Sequence, residues 1–205
     1  HMWTRRQRQM CIRDRLKPIT TIVLAILVAT LVRTLLLQIY FIPTTSMEPT
    51  LKTDDRVLVL KDTIVQFDIS SGDIVVFHNI NSDYSESILQ QYFDELQIWK
   101  INDVNSQENA ALIKRVVGVG GDVVEIFENG EVFVNSSKFY IPNINEGVNF
   151  KNETFVIPDN EIFVLGDNRP NSQDSRYIGT IPISNIIGKA IYLIYPFENF
   201  KKLDD

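Results

Sequence analysis

Residues 112–135 read LIKRVVGVGGDVVEIFENGEVFVN, and this stretch decides the fold class. It holds three short runs, Leu112–Val119, Val123–Phe127 and Val132–Asn135, rich in β-branched and aromatic side chains and separated by turn signals such as Gly120-Gly121-Asp122. Such residues suit a pleated, half-buried surface, and the short repeat length suits strands better than helices. Working outward, Val57–Lys61, Ile74–His78, Thr154–Ile157, Glu161–Leu165 and Ile187–Tyr195 have the same character, with another turn signal at Gly72-Asp73. One stretch departs from it. In Ser87–Trp99, apolar residues Ile88, Leu89, Tyr92, Phe93, Leu96 and Trp99 recur at helical spacing, which predicts a helix between two strands. The expected fold is mainly β.

N-terminal to this region lies one long apolar run. Residues 19–37 read ITTIVLAILVATLVRTLLL, with Arg33 as the single charge. A helix of that length spans about 28 Å, close to the hydrocarbon thickness of a bilayer. Arg33 sits near the end of the run, where its long side chain can snorkel to the headgroups. A cleaved leader would have a shorter apolar core and a small-x-small site; here the run continues into Gln38-Ile-Tyr-Phe-Ile42. An uncleaved transmembrane anchor over residues 18–38 is therefore expected. Residues 1–17 carry six basic side chains against Asp14, which predicts a cytoplasmic stub and an extracytoplasmic body by the positive-inside rule. Within that stub, His1-Met2 reads as a cloning remnant or truncated start, and Arg8–Arg15 resembles translated adapter sequence, so residues 1–15 carry little functional weight.

Of the 205 residues, 44% are apolar, enough for one core. Residues 18–205 hold 14 basic and 25 acidic side chains, and that excess of negative charge excludes general nucleic-acid binding. Cys11 is the single cysteine, so no internal disulfide forms. His1 and His78 are the only histidines, which excludes a multi-histidine zinc site. No cofactor is expected.

Three segments carry chemistry. Lys114 lies in the apolar run Ala110–Val117; it is either an outward strand lysine or, if buried, an amine with a depressed pKa that can act as a base. The segment Phe41-Ile-Pro-Thr-Thr-Ser-Met-Glu-Pro-Thr-Leu51 sets three hydroxyl residues between Pro43 and Pro49; it is a rigid presenting loop or a linker. The segment Gly166-Asp-Asn-Arg-Pro-Asn-Ser-Gln-Asp-Ser-Arg176 is a polar loop. It fails as a calcium loop because Arg169 takes a ligand position and no closing glutamate follows.

Taken together and in order, these segments resemble the bacterial type I signal peptidases. Pro43-Thr-Thr-Ser-Met-Glu-Pro-Thr-Leu51 resembles the nucleophile box, and Asp55-Arg-Val-Leu-Val59 with Lys61 resembles the next. Lys114-Arg-Val-Val-Gly118 with Gly121-Asp122 resembles the lysine box, and Gly166-Asp-Asn-Arg with Ser172, Asp174-Ser-Arg176 and Gly179 the last. The resemblance covers roughly residues 38–190 and implies an antiparallel β-sheet domain, 39–205, with an insertion at 79–111.

It further implies that Ser46 is the nucleophile and Lys114 the general base, with the Ser46 N–H and Thr44 hydroxyl as oxyanion donors. Thr44 stands where many members have serine, and Gly120 where proline is usual. Ser172 matches the position that hydrogen-bonds the lysine; Asp174, Arg176 and Arg115 match supporting positions. Ile42, Met47, Leu51 and Ile113 match the walls of pockets for small side chains at −1 and −3 of the cleaved bond. Segment 128–160 is too short for the large second subdomain of some members. The implied partners are preprotein signal peptides, the lipid bilayer and the secretion translocon. A self-cleaving Ser-Lys repressor would need a DNA-binding domain that the sequence lacks. The remaining alternative is an inactive membrane-anchored binding protein of the same fold.

Overall fold

The structure, a computed structural model, describes residues 18, 20–30, 36–61, 68–78, 111–144, 147 and 150–203. The basic stub, and the helix expected at 87–99 within the insertion, lie outside the described residues. The chain divides into two units, His1–Leu35 and Leu36–Asp205. In the first, residues 20–30 are helical and expose Ile22, Val23, Leu24, Ile26, Leu27 and Val28. Among the described residues no helix is long and apolar enough to cross a membrane.

The second unit is built of antiparallel strands. Its larger sheet takes β1 (Leu37–Phe41), β2 (Arg56–Lys61), β3 (Ile74–His78), β4 (Ala111–Val119), β9 (Glu161–Leu165), β10 (Ile181–Pro182), β11 (Ile186–Tyr195) and β12 (Lys201–Lys202). The order is β1-β2-β11-β3-β4-β9-β10, with β12 added to β11. The smaller sheet takes β5 (Val123–Ile126), β6 (Val132–Val134), β7 (Ser137–Phe139) and β8 (Glu153–Val156), in the order β7-β6-β5-β8. Two expected boundaries move. Leu37 and Gln38, placed in the anchor, pair with Leu60 and Val59 as the start of β1. Ala111, placed in the insertion, pairs with His78 as the start of β4. At residues 37 and 38 ladder pairing to a neighbouring strand overrides the hydropathy pattern.

The strand sequences explain the layering. β3 is apolar without alternation because both of its faces are covered: Ile74 and Val76 enter one core cluster, Val75 and Phe77 another. Strand β2 alternates instead, burying Val57 and Val59 while Arg56 is exposed. A third cluster joins Val117, Phe163 and Leu165 of the larger sheet to Val124, Ile126 and Val132 of the smaller, with Ile157. β4 changes register between Val116 and Gly118; around this bulge Val117 enters the third core while Val116 and Val119 pack on the second.

At the centre of the larger sheet, Gly188 of β11 sits against β2. A Cβ there would lie 2.2 Å from the Leu60 carbonyl oxygen, a rigid backbone atom. Gly188→Ala must therefore push two paired strands apart. It is expected to lower stability by about 1–3 kcal/mol, read as a fall in Tm against the unaltered chain. An unchanged Tm would show that β2 and β11 yield freely.

Candidate active site

The loop after β1 is fixed from both ends. The Ile42 N–H donates to the Asp55 carbonyl and the Asp54 N–H to the Ile42 carbonyl, each at 2.9 Å, so the segment between them closes on itself. Inside it, Leu51 N–H donates to the Met47 carbonyl at 2.9 Å, and the Glu48–Pro49 bond is cis. Ile42, Met47 and Leu51 are at most 1% exposed and share a core cluster with Val57, Val59, Val76 and Ile113. Burying these apolar side chains holds the short stretch between them, Pro43–Ser46, at the surface of the core.

On the neighbouring β4, Lys114 is 3% exposed, and its amine lies 2.9 Å from the hydroxyl oxygen of Ser46, itself 7% exposed. The amine also donates to the Ile113 carbonyl at 2.9 Å. Burial pushes its pKa from 10.5 down to about 8, against the opposing pull of the Asp174 charge. The Thr44 hydroxyl oxygen is 3.3 Å from that of Ser46.

The loop after β9 completes the surroundings. Arg115 makes a two-pronged ion pair with Asp167 at 2.9 and 2.7 Å and donates to the Gly72 carbonyl at 2.7 Å. The Thr50 hydroxyl donates to the same Asp167, which ties the 42–51 loop to the ion pair. Asp174 accepts from Arg176 at 2.7 and 2.8 Å and from the Gly166 N–H at 3.0 Å, and caps the short helix α1 (Ser175–Ile178). Arg176 in turn donates to the Arg169 carbonyl at 2.7 Å. The Asn168 N–H donates to the Ser46 carbonyl at 3.0 Å, and its side-chain amide to the Thr45 carbonyl at 3.1 Å.

The fold thus brings Ser46, Lys114 and Thr44 together and sets Arg115, Asp174 and Arg176 in buried ion pairs. Two expectations need correction. Ser172 does not hydrogen-bond Lys114; among the described residues its buried hydroxyl oxygen has no partner, and it is packed where a Cβ on Gly166 would come within 2.2 Å of it. The lysine amine is occupied instead by Ser46 and the Ile113 carbonyl. Ile42, Met47 and Leu51 are core residues, and Ile113, at 8%, is nearly buried in the same cluster. His78 ends β3 opposite Ala111, three positions along β4 from Lys114, or about 10 Å at strand spacing. Thr50, Asp167 and Asn168 carry no distinct signal in the sequence beyond lying within the Pro-Thr-Leu and Gly-Asp-Asn-Arg motifs.

With this geometry in hand, comparison with known proteins is specific. The profile of the family described as signal peptidase, peptidase S26, matches residues 15–195. Signal peptidase I of Leptolyngbya laminosa is 33% identical over 185 residues, 90% of this chain and 82% of its own length. Signal peptidase IB of Staphylococcus aureus strain Mu50 is 30% identical, over 92% of this chain and 94% of its own. Thylakoidal processing peptidase 1 of Arabidopsis thaliana is 31% identical over 95% of this chain and 51% of its own. The chain belongs to the signal peptidase family, peptidase S26, and is a serine endopeptidase.

Proposed function

We propose that this protein removes N-terminal signal peptides from secreted preproteins after small-x-small sites, with Ser46 as nucleophile and Lys114 as general base. One observation carries the reading: an amine with a pKa of about 8 lies 2.9 Å from a serine hydroxyl, both nearly buried. At that pKa a useful fraction of Lys114 is neutral near physiological pH, whereas an exposed lysine is almost wholly protonated. The neutral amine takes the Ser46 proton as the oxygen attacks the scissile carbonyl. It then returns that proton to the departing amine, leaving an acyl-enzyme. Lys114 next takes a proton from water as the water oxygen attacks the ester; the bond to Ser46 breaks, Ser46 recovers the proton from Lys114, and the signal peptide leaves with a new carboxylate. The Ser46 N–H and the Thr44 hydroxyl serve the oxyanion.

Substrate docking follows from the sheet. On its β9 side β4 is paired only from Arg115 onward, because β9 ends at Leu165. Among the described residues, 111–114 have a strand partner on the β3 side alone. An extended substrate can therefore add to that edge beside Lys114, with alternate side chains turned inward. Ile113 then limits the size of the group admitted, while Ile42, Met47 and Leu51 set the floor from beneath by excluding any expansion.

Membrane anchoring is supported by the apolar residues 19–36 that precede β1; as a helix these would span about 27 Å, with the basic stub inside and the β domain outside. The bilayer and the translocon are then natural neighbours. An inactive binding protein of the same fold has no use for a neutral amine held against a serine hydroxyl, and this contact argues for the enzyme.

Preprotein processing by the membrane-reconstituted full chain, with mass spectrometry of the products, tests the reading. A precursor ending Ala-x-Ala should be cut after the last alanine, and one with Phe at −1 should not. Ser46→Ala and Lys114→Ala should each lower kcat by about 10⁴-fold or more, and the double variant should be hardly slower than either. Retained cleavage in Lys114→Ala would eliminate the lysine as base.

The base must be deprotonated, so kcat/KM should rise with pH and reach half its maximum near pH 8. Asp174 raises the lysine pKa; Asp174→Asn should therefore move the rising limb to lower pH. A limb that moves upward, or one near pH 6.5 that vanishes in His78→Ala, would contradict the assignment.

A further inference from the structure

The Thr45–Ser46 peptide unit joins the carbonyl of one residue to the N–H of the next, and in a trans peptide these point in opposite directions. The carbonyl is held: the Asn168 side-chain amide donates to the Thr45 oxygen at 3.1 Å. Carbonyl oxygen can only accept, so the amide must present its NH₂ there, and the opposite rotamer would set oxygen against oxygen. The next peptide is held by the same residue, through the Asn168 N–H to the Ser46 carbonyl at 3.0 Å. Asn168 is 6% exposed, and its amide oxygen accepts weakly from the Asn171 side chain at 3.5 Å. Among the described residues the Ser46 N–H itself has no acceptor.

We propose that Asn168 is a positioning residue for the oxyanion hole: its side-chain amide clamps the Thr45 carbonyl and thereby aims the Ser46 N–H at the developing oxyanion. This rests on the reading of Ser46 as nucleophile and of its N–H as an oxyanion donor. The clamp acts in two ways. It opposes rotation of the peptide plane, which would turn the N–H away from the cleft. A hydrogen bond accepted at the carbonyl also polarises the same peptide unit, making its N–H a better donor. The clamp comes from a loop more than a hundred residues away in sequence, anchored by Asp167 on Arg115 and by Asp174 on Gly166 and Arg176. The hole is thus assembled from the first and last motifs together, and the nucleophile loop alone does not define it.

The test compares Asn168→Ala and Asn168→Asp with the unaltered full chain in the same membranes. Asn168→Ala should lower kcat about 10- to 100-fold, less than the about 10²–10³-fold cost of deleting an oxyanion donor outright, with KM within about twofold. Asn168→Asp keeps the shape and the backbone bond but offers a carboxylate to a carbonyl, so its loss at pH 8 should be at least as large. The readout that a merely structural role would not move is binding of two inhibitors. A peptide aldehyde forms a hemiacetal with Ser46: the serine oxygen bonds the carbonyl carbon, the carbonyl electron pair moves to oxygen, and the serine proton passes to Lys114. Its affinity should fall in step with kcat/KM. An uncleavable peptide carrying proline after the cleavage site, which develops no oxyanion, should bind as before. The rising limb of the pH profile should stay in place, since Asn168→Ala alters no charge.

Wild-type kcat in Asn168→Asp would overturn the proposal. Equal losses of both inhibitors' affinities would also overturn it, because the residue would then be holding the fold. Ser46→Ala in the same assay separates the two levels. If that variant still binds the aldehyde covalently, the nucleophile assignment itself fails; if it does not and only the Asn168 variants behave as wild type, the dyad stands without the clamp.

Discussion

A lysine amine is readily neutral near physiological pH only where water is kept from its ammonium form, and in this fold Lys114 is buried to that degree. Lys114 stands on a strand flanked by β3 and β9, in a position that leaves a strand lysine free to point at solvent. Around it stand the closed loop 42–55, whose Ser46 meets its amine, and the 166–176 loop, whose Asp174 charge acts on it. The first is held by Ile42, Met47 and Leu51 in the core, the second by two buried ion pairs. Each ion pair also manages charge. Arg115 follows Lys114 directly in sequence, and strand alternation with the Asp167 carboxylate turns its guanidinium elsewhere and neutralises it. Asp174 is partly neutralised by Arg176, which limits how far its negative charge can raise the lysine pKa. Buried pairs of this kind add little to stability over an apolar packing of equal volume. Their value here is positional.

The ion pairs and hydrogen bonds also link motifs far apart in the chain. Thr50 and Asn168 both reach across, one from the 42–51 loop to Asp167, the other from the last motif to Thr45. Gly166 makes the crossing close, since any side chain there would meet the Ser46 carbonyl oxygen at 2.6 Å and Ser172 closer still. The glycine is required by this approach of two backbones.

Much of this fold is legible in the sequence, for a reason visible in the strands. Ile74–His78 and Glu161–Leu165 read correctly to the residue because both are β-branched runs buried in the sheet, where local composition and tertiary environment agree. β1 is not legible as a strand because Leu37-Gln-Ile-Tyr-Phe41 continues a long apolar run, and hydropathy does not say where a ladder begins. Strands such as Ser137–Phe139 and Lys201–Lys202 carry no signal of their own and exist only through their partners. In the site, Ser46 and Lys114 were identified by motif order; alone, Lys114 reads as an outward lysine. Its burial depends on loops contributed by distant sequence. Motifs preserve residue identity but not rotamer or exposure, which is why Ser172 faces Gly166 and why three expected pocket residues proved to be core.

The pairing of His78 with Ala111 has an architectural consequence. The chain leaves β3 and enters β4 at points side by side, within about 6 Å at antiparallel spacing. Whatever lies between need only return to its starting place, and the entropy of closing such a loop grows as the logarithm of its length. This corner of the sheet is therefore a junction indifferent to cargo: segments can be lengthened, shortened or exchanged there over evolutionary time without shifting the register of β4. Diversification of this enzyme can proceed at the junction while the geometry around the lysine is left alone.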